Sequence, residues 1–396
     1  MTAARSSGSA RLQAIDFLRG LVMIVMALDH VREFFTHAQF NPTNLAVTTA
    51  PYFLTRWITH FCAPVFSFLT GVGAYLWYSR GRTKSELSLY LLKRGAWLIF
   101  LELTVTRCFG WAFNFDYRIT LAGVLWILGW SMIVLAGAIW LPNRVFTAIA
   151  LLTIAGHNTL DRISSGDFDR FSWAWAFLHS PANLTIAPGY NFFTAYVLIP
   201  WFAVMMAGFS LGRVFLLDGP RRRRFLLQLG AAATCLFILV RGFNAYGDPV
   251  RWAAQKSGLF TIFSFVNCTK YPPSLDYLLM TLGPTLILLA LFDGFEFRRL
   301  RPVVVFGRVP LFYYVVHIPL MHLAAAAICY WRFGSAHWLF TSTTIADFPA
   351  MRPPGWGFSL PVVYVIWVAL VSVLYPLCTW FAGVKRRGGA GWLSYL

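Results

Sequence analysis

Long apolar runs recur along the whole chain of 396 residues and constrain its fold more than any other feature. Hydrophobic residues make up 58% of the chain and charged residues only 12%, whereas soluble domains carry about a quarter charged residues. A helix of about 20 apolar residues crosses a bilayer. We therefore predict an all-α polytopic membrane bundle of about ten transmembrane helices. The predicted spans are 14–36, 55–79, 95–112, 120–141, 145–160, 192–215, 225–243, 275–292, 303–330 and 359–383.

The basic residues are unevenly distributed between these spans. The chain has 33 Lys and Arg against 15 Asp and Glu, a formal net charge of +18. If the N-terminus lies inside, more than half of the Lys and Arg fall in inner loops, which fits the positive-inside rule with both termini cytoplasmic. The basicity therefore reflects topology, and we expect no nucleic-acid partner. The arginine run at 221–224 is placed to meet anionic lipid headgroups.

The chain is organised as one membrane domain, without a soluble domain or a clear internal repeat. We assign residues 1–13 to a short cytoplasmic N-terminus, 14–383 to a single transmembrane domain and 384–396 to a short cytoplasmic C-terminus. The first apolar run is too long and too charged for a cleaved signal peptide, so we expect it to be retained. The six cysteines lie apart and have no metal-type spacing, so we expect neither disulfides nor a metal site. Aromatic residues, typical of interfacial belts or of sugar-stacking surfaces, are concentrated in three outer segments, 157–191, 244–274 and 331–358.

The first span, "AIDFLRGLVMIVMALDHVREFF", carries six ionisable residues. Arg19 and His30 are 11 residues apart, which places them on one helical face about 16 Å apart along the axis, and Asp16 shares that face. Asp29 and Glu33 occupy a different stripe. If Arg19 lies near the inner boundary, His30 lies about halfway through the bilayer. An ionisable group at that depth costs a few kcal/mol and normally faces a polar cavity or a partner.

Other predicted spans carry polar residues at a matching depth. Arg56 and His60 lie one turn apart at the outer start of the second span, and Glu102 lies about 12 Å into the third. We predict that these groups share one functional polar cavity with the first span. The alternative is a set of separate contacts, with an ion pair at the inner end of the first span and a histidine bonded to a neighbouring helix.

The ninth span, "VFGRVPLFYYVVHIPLMH", combines helix-breaking residues with two histidines. Gly307, Pro310 and Pro319 predict a bent or interrupted helix, which is tolerated at membrane depth where it lines a cavity. His317 and His322 are five residues apart and point about 140° apart on a regular helix, so they are not expected to share a metal. We expect His317 to form a second wall of the polar cavity.

Four segments carry a resemblance to a known family: "RLQAIDFLRG", "HFCAPVFSFLTG", "LAGVLWILGWSMIVLAGAIWLP" and "FGRVPLFYYVVHIPLMH". Together they resemble bacterial membrane proteins related to the heparan-α-glucosaminide N-acetyltransferase catalytic domain. The first span is similar to the signature of transmembrane acyltransferases such as acyltransferase family three, in which an arginine and a histidine are separated by ten residues, here Arg19 and His30 after Asp16. The active histidine proposed for the lysosomal enzyme matches only loosely, to His37 or His60.

The resemblance implies an acyl-CoA donor, with acetyl-CoA the expected form, whose acyl group passes to a sugar or another hydroxyl or amine on the outer side of a bacterial inner membrane. Asp16 and Arg19 would bind the donor, and His30 would handle the proton or the acyl group. A neutral histidine can act as a general base, and a carboxylate of Asp29, Glu33 or Glu102 could fix its tautomer. The residues expected to line the acceptor side are Arg56, His60 and His317.

The leading prediction is therefore a membrane-embedded O- or N-acyltransferase that modifies a glycan or another small acceptor. A transporter or exporter could use the same polar column, although transporter folds usually show repeats that this chain lacks. A non-catalytic family member that binds lipid or protein is a third possibility. The sequence leaves open the acceptor, the acyl group, direct transfer or an acyl-enzyme, and the oligomeric state.

Overall fold

A computed structural model describes residues 3–111, 113–341 and 352–387, and this part of the chain is mostly helical. The α-helices are α1 (Ala3–Phe35), α2 (Ala50–Ile58), α3 (Cys62–Tyr78), α4 (Lys84–Leu101), α5 (Val124–Ala138), α6 (Asn143–Gly156), α7 (Ser172–Leu178), α8 (Leu198–Leu211), α9 (Gly219–Phe243), α10 (Gly258–Val266), α11 (Leu275–Leu291), α12 (Arg301–Arg308), α13 (Pro310–Phe333) and α14 (Leu360–Arg386). Shorter 3-10 helices are Thr59–Phe61, His157–Arg162, Ser165–Phe171, Gly212–Leu216 and His337–Leu339. Residues 1–2 and 388–396 of the predicted terminal segments lie outside the described residues.

Five helical stretches of the described chain are long and apolar enough to cross a membrane. They are Ala50–Tyr78, Leu198–Leu216, Gly219–Phe243, Pro310–Phe333 and Leu360–Arg386. The shorter helices α5 and α11 are also apolar. Helix α1 is not among the five because of its charged residues. The fold is that of an integral membrane protein, while the number of ten spans and the side on which the termini lie remain predictions.

The most closely packed helix pairs meet at glycines. The most extensive contacts join α1 with α12, α3 with α8, α4 with α5 and α9 with α11. In each pair, a Cβ added to a glycine of either helix would overlap or crowd a backbone atom of the other helix. Small residues allow this close approach, which favours helix association in lipid. The glycines are Gly20 and Gly307, Gly71 and Gly208, Gly95 and Gly129, and Gly230 and Gly283.

A small β-sheet lies in the segments between helices and corrects the all-α prediction. Strand β3 (Tyr190–Phe193) is central, parallel to β1 (Ile119–Leu121) and antiparallel to β2 (Asn183–Ala187). The turn between β2 and β3 contains Gly189 with φ of +80°, a conformation that favours glycine. Threonine, isoleucine and aromatic residues flank that turn, and these residue types favour strands over helices. The correction is local, because the rest of the bundle is helical.

The predicted interruption of the ninth span is confirmed at Val309. This residue separates α12 from α13 with φ of −129° and ψ of 49°. Pro310 follows at the first position of α13, where the missing N–H costs nothing. Pro319 lies inside α13, which continues past it to Phe333. The third span changes differently, because α4 passes into the π-helix Glu102–Trp111, a wide helical form that is frequent at functional sites.

Helix α1 is surrounded by the helices that form the polar site. It packs against α3, α12, α13 and α14, and against the 3-10 turn that joins α2 to α3. Ala27, Val31 and Phe35 on this helix are fully buried. Asp29 and Arg32 of the same helix are also buried against neighbouring helices, as expected for charged groups at membrane depth.

Candidate functional site

From Asp16 onwards, helix α1 carries its ionisable side chains in two groups. The group that we name the Arg19 end comprises Asp16 and Arg19. The group that we name the His30 end comprises Asp29, His30, Arg32 and Glu33. The helix is continuous across both groups, which agrees with the prediction that a single helix carries the arginine and the histidine.

At the Arg19 end, one guanidinium is held by a backbone carbonyl. Nη2 of Arg19 donates to the carbonyl oxygen of Leu69 at 2.8 Å, and Nη1 lies 3.8 Å from a carboxylate oxygen of Asp16. The other oxygen of Asp16 is 3.7 Å from Nε of Arg308 on α12. Gly73 leaves room for this arrangement, because a Cβ there would lie 2.9 Å from Nη2 of Arg19. Arg19 is thus oriented mainly by the backbone of α3.

The side chain of Arg19 lines a cavity of about 420 Å³. Helices α1, α3, α4, α5, α12, α13 and α14 contribute to its walls. Asp16 is the one carboxylate among its lining residues. The cationic lining residues are Arg19, Arg80, Arg94, Arg308 and Lys385. Such an excess of positive charge in a cleft attracts anions, and arginine is suited to phosphate groups.

Two aromatic rings stand beside these cations. Trp77 of α3 and Tyr90 of α4 line the cavity and stack on each other with ring centroids 4.8 Å apart and an interplanar angle of 11°. Their conformation is fixed by this contact. They offer a flat apolar surface in a cavity that is otherwise rich in positive charge.

The cavity extends from the cations towards the other end of α1. Leu125 of α5 and Tyr314 of α13 form part of its lining. The carbonyl oxygen of Tyr314 lies 2.6 Å from Nδ1 of His317, one helical turn further along α13. The far wall of the basic cavity is therefore one turn away from the histidines of the His30 end.

At the His30 end, two histidines are in direct contact. Nδ1 of His30 lies 2.9 Å from Nε2 of His317, with ring centroids 5.1 Å apart. Nδ1 of His317 faces the carbonyl oxygens of Tyr314 and Tyr313, the latter at 3.1 Å. Trp111, at the end of the π-helix, packs its ring edge to face on His30 with centroids 5.1 Å apart. The predicted convergence of His30 and His317 is observed.

The carboxylate of Asp29 forms ion pairs with two arginines. One of its oxygens accepts from Arg32 at 3.0 Å, and the other is paired with Nη1 of Arg56. Glu33 is 3.4 Å from the same arginine of α1. These are charge-assisted hydrogen bonds, the stronger class of such contacts. Nδ1 of His30 is therefore bound by His317, not by the neighbouring carboxylate that the sequence suggests.

Of the two residues predicted at the start of the second span, Arg56 pairs with Asp29 of α1, whereas the His60 ring packs on α11. His60 is buried, with its ring against Tyr277 at a centroid distance of 5.5 Å. Its carbonyl oxygen accepts from the Tyr277 hydroxyl at 2.6 Å. Within the described chain, Nδ1 of His60 has no hydrogen-bond partner. Among the described residues, no hydrogen bond or ring contact joins His60 to His30 or His317.

Glu102 is placed at the start of α5. The side chain is 1% exposed and accepts from the backbone N–H of Leu125 at 3.2 Å. A carboxylate at this position stabilises the positive end of the helix. Glu102 therefore positions α5, whose first residues line the cavity, and within the described residues it makes no hydrogen bond to the histidines.

His37 lies at the C-terminal end of α1, in contact with the segment before α14. It is exposed, and its Nδ1 is 2.7 Å from the carbonyl oxygen of Phe358. In the same region, Arg352 donates to the carbonyl oxygens of Glu33 and Thr36, the latter at 3.2 Å. A cation at the last carbonyls of a helix stabilises its end. This segment therefore covers the His30 end of α1.

Several cavity residues are not singled out by sequence patterns. Arg80, Arg94 and Lys385 fit the positive-inside rule and so look like topology signals alone. The other missed residues are Trp77, Tyr90, Arg308 and Tyr314. One signal was available, because Arg308 stands at the helix break in "FGRVP", and a charge beside a broken helix often lines a cavity.

The helices and the enclosed ionisable residues define an integral membrane protein with a polar site between its helices. Residues 11–243, more than half of the chain, match the family model described as heparan-alpha-glucosaminide N-acetyltransferase, catalytic. The chain belongs to this family, which indicates an acetyltransferase-type function. No curated protein matches the chain. The matched residues end with α9, so Arg308, Tyr314 and His317 come from the part beyond the match.

Proposed function

We propose that the protein is a membrane-embedded acyltransferase that moves an acyl group from acyl-CoA to a hydroxyl or amine of an acceptor. The donor enters the basic cavity at the Arg19 end from the cytosol, and the acceptor, a sugar or another small molecule, approaches the His30 end from the outer side of a bacterial inner membrane. The observation that supports this most directly is the cavity itself, which ends one helical turn from the residue bonded to His30.

The donor fits the chemistry of the Arg19 end. Coenzyme A carries a diphosphate and a further phosphate on its nucleotide end, and the cavity has five cationic side chains against one carboxylate. The stacked rings of Trp77 and Tyr90 offer a surface for the adenine. A cavity of about 420 Å³ is within the usual range for small-molecule sites, roughly 300 to 1,000 Å³. We propose acetyl-CoA as the donor because of the family.

The chemistry at the His30 end is a base-assisted acyl transfer. His30 accepts the proton of the attacking hydroxyl or amine. At the same time, the oxygen or nitrogen of the acceptor forms a bond to the thioester carbonyl carbon. The carbon–sulfur bond then breaks, and the proton passes from the imidazolium to the leaving thiolate, so CoA leaves as a thiol. A positioned general base contributes about 10²- to 10⁴-fold to such a rate. The ion pairs of Asp29 keep the surrounding charge nearly balanced.

The test is acyl transfer from radiolabelled acetyl-CoA in proteoliposomes with His30→Ala. We expect transfer to fall by about 10²- to 10⁴-fold, while acetyl-CoA still raises the melting temperature, because the Arg19 end is untouched. His337→Ala, which removes an exposed histidine, is the control and should keep full activity.

Two outcomes would contradict the assignment. Full transfer by His30→Ala would show that His30 is not the base. If His37→Ala instead abolishes transfer, and the labelled acyl-protein seen in the wild type is lost, the reaction passes through an acyl-histidine at His37. Movement of a solute across the vesicle membrane without consumption of acetyl-CoA would identify a transporter.

A further inference from the structure

We infer that His317 is a positioning residue that holds His30 in a single tautomer, with the proton on Nδ1 and a bare Nε2 directed to the acceptor. The inference rests on the proposed function and deepens it, because it names the group that makes His30 a base. It concerns a residue beyond the family match. Its basis is a chain of two contacts, from backbone carbonyls to His317 and from His317 to His30.

The first contact fixes the proton of His317. Its Nδ1 is 2.6 Å from the carbonyl oxygen of Tyr314 and 3.1 Å from that of Tyr313. Carbonyl oxygens only accept hydrogen bonds, so Nδ1 carries the hydrogen. The side chain is 0% exposed, and burial disfavours a charged imidazole. A neutral His317 with its proton on Nδ1 leaves Nε2 as an acceptor.

The second contact fixes the proton of His30. Its Nδ1 lies 2.9 Å from Nε2 of His317, and because that atom is an acceptor, Nδ1 of His30 must donate. Neutral His30 then has a bare lone pair on Nε2, the atom that a general base needs. Within the described chain, Nε2 of His30 has no hydrogen-bond partner. The reactive nitrogen is therefore left free for the acceptor.

The same contacts stabilise the charge that forms during the reaction. When Nε2 of His30 takes a proton, Nδ1–H of the imidazolium becomes a stronger donor to His317. The charge is polarised along this bond towards the carbonyl oxygens of Tyr313 and Tyr314. His317 thus does for His30 what a carboxylate does in other histidine-based sites. It does so without adding a negative charge, since Asp29 is already bound to two arginines.

Helix α13 offers a matched control for the loss of a buried histidine. His322 is five residues further along, is also 0% exposed, and its Nδ1 faces the carbonyl oxygen of Gly110 at 2.8 Å. It packs against Phe34, Phe113 and Phe340, and no hydrogen bond or ring contact joins it to His30 in the described part of the chain. His322→Ala therefore reproduces the packing loss of His317→Ala without breaking the contact to His30.

The kinetic experiment compares His317→Ala, His317→Gln and His322→Ala in proteoliposomes with acetyl-CoA. We expect His317→Ala to lower kcat by about 10²-fold, to leave the KM for acetyl-CoA within about twofold, and to shift the acidic limb of the pH–rate profile. His317→Gln keeps an oxygen acceptor near the position of Nε2 and should recover at least tenfold of the loss. Equal losses in all three variants, accompanied by equal falls in melting temperature and an unchanged pH profile, would show a packing role and overturn the inference.

A second measurement does not depend on activity. Nitrogen-15 NMR of histidine-labelled protein in lipid, with the His30 signal assigned by its disappearance in His30→Ala, reports which ring nitrogen carries the proton. We expect a bare Nε2 in the wild-type protein and in His322→Ala, and a mixture of tautomers in His317→Ala. A protonated Nε2 in the wild-type protein would overturn the inference. If the wild-type protein transfers no acyl group, the proposed function fails, but the NMR result still tests the tautomer.

Discussion

The two ends of helix α1 carry the same types of charged residue but differ in their balance of positive and negative charge. At the Arg19 end, cations outnumber carboxylates, and Arg19 is held by the carbonyl oxygen of Leu69 beside an open cavity. At the His30 end, each oxygen of Asp29 is paired with an arginine, and His30 contacts a second imidazole. An unbalanced end attracts an anion, whereas a balanced end leaves a histidine free to accept a proton.

The two ends also differ in how deeply their ion pairs are buried. The two ion pairs of Asp29 are almost completely buried, with side chains of Asp29 and Arg32 about a tenth exposed. The carboxylate of Asp16 at the Arg19 end is 22% exposed, and its two arginines are at 3.7 and 3.8 Å. Buried pairs are costly to break, while partly exposed pairs contribute little. Substitutions in the Asp29 ion pairs should therefore act on stability, and those at the Arg19 end on donor affinity.

The largest effect is expected from Asp29→Ala. The substitution leaves Arg32 and Arg56 buried without their shared carboxylate. Removal of one partner from a buried ion pair costs about 3 to 5 kcal/mol. We expect a loss of that size in the free energy of unfolding, measured by denaturant titration in detergent.

Asp116→Ala is the matched control for Asp29→Ala. Asp116 also pairs with a buried arginine, Arg107, at 3.0 Å, but its side chain is 45% exposed. Arg107 keeps the carbonyl oxygens of Ile119 and Asn114 as acceptors when the carboxylate is removed. The control should lose less than about 1 kcal/mol. Equal losses for the two variants would mean that the His30 end is no more firmly built than an exposed pair.

The second prediction concerns the glycine contact beside the Arg19 end. In Gly307→Ala, the new Cβ would overlap the carbonyl oxygen of Asp16, so α12 must move away from α1. Such overpacking costs about 1 to 3 kcal/mol. We expect a loss of this size in unfolding free energy together with weaker acetyl-CoA binding, because Arg308 moves with α12. Gly137→Ala has open space around its Cβ and should keep both quantities unchanged.

The alignment of Arg19 and His30 on one face of α1 was predictable, because a helical face follows from residue spacing alone. Helix α1, its shared arginine and histidine, and the break at Val309 all agree with local patterns. The partner of His30 was not predictable in the same way. Asp29 is its neighbour in sequence, yet His317 makes the contact because helix packing decides which side chains meet. His30 and His317 are 287 residues apart in the sequence, and no local pattern indicates a contact over that separation.

The basic cavity was hidden for a related reason. Charges near helix ends are expected in any membrane protein, and the residue order does not tell which of them face inward. Arg80, Arg94 and Lys385 become one site only when α3, α4 and α14 are placed side by side. Glu102 shows that a site prediction can also miss a structural contact, since this buried carboxylate accepts a hydrogen bond at the start of α5.

The third prediction is that Arg19→Ala weakens acetyl-CoA binding by about tenfold, or about 1.4 kcal/mol, with a change in unfolding free energy below about 1 kcal/mol. The reason is the loss of one charge-assisted contact from a cavity that keeps four other cations. Isothermal titration in nanodiscs measures the affinity. Arg19→Lys keeps the charge but not the planar fork and should bind with intermediate affinity. Unchanged affinity in Arg19→Ala would place the donor elsewhere.

The smallest effect is expected from Asp16→Asn, and its sign is the informative part. Asp16 is the one carboxylate of the cavity lining, so its neutralisation raises the net positive charge and should tighten acetyl-CoA binding by about two- to fivefold. The gain should shrink at high salt. Asp218→Asn, outside the lining and paired with the exposed Arg221, should change nothing. Weaker binding in Asp16→Asn would mean that the carboxylate holds Arg19 and Arg308 in place, and the Arg19 end would then depend on ion pairs as the His30 end does.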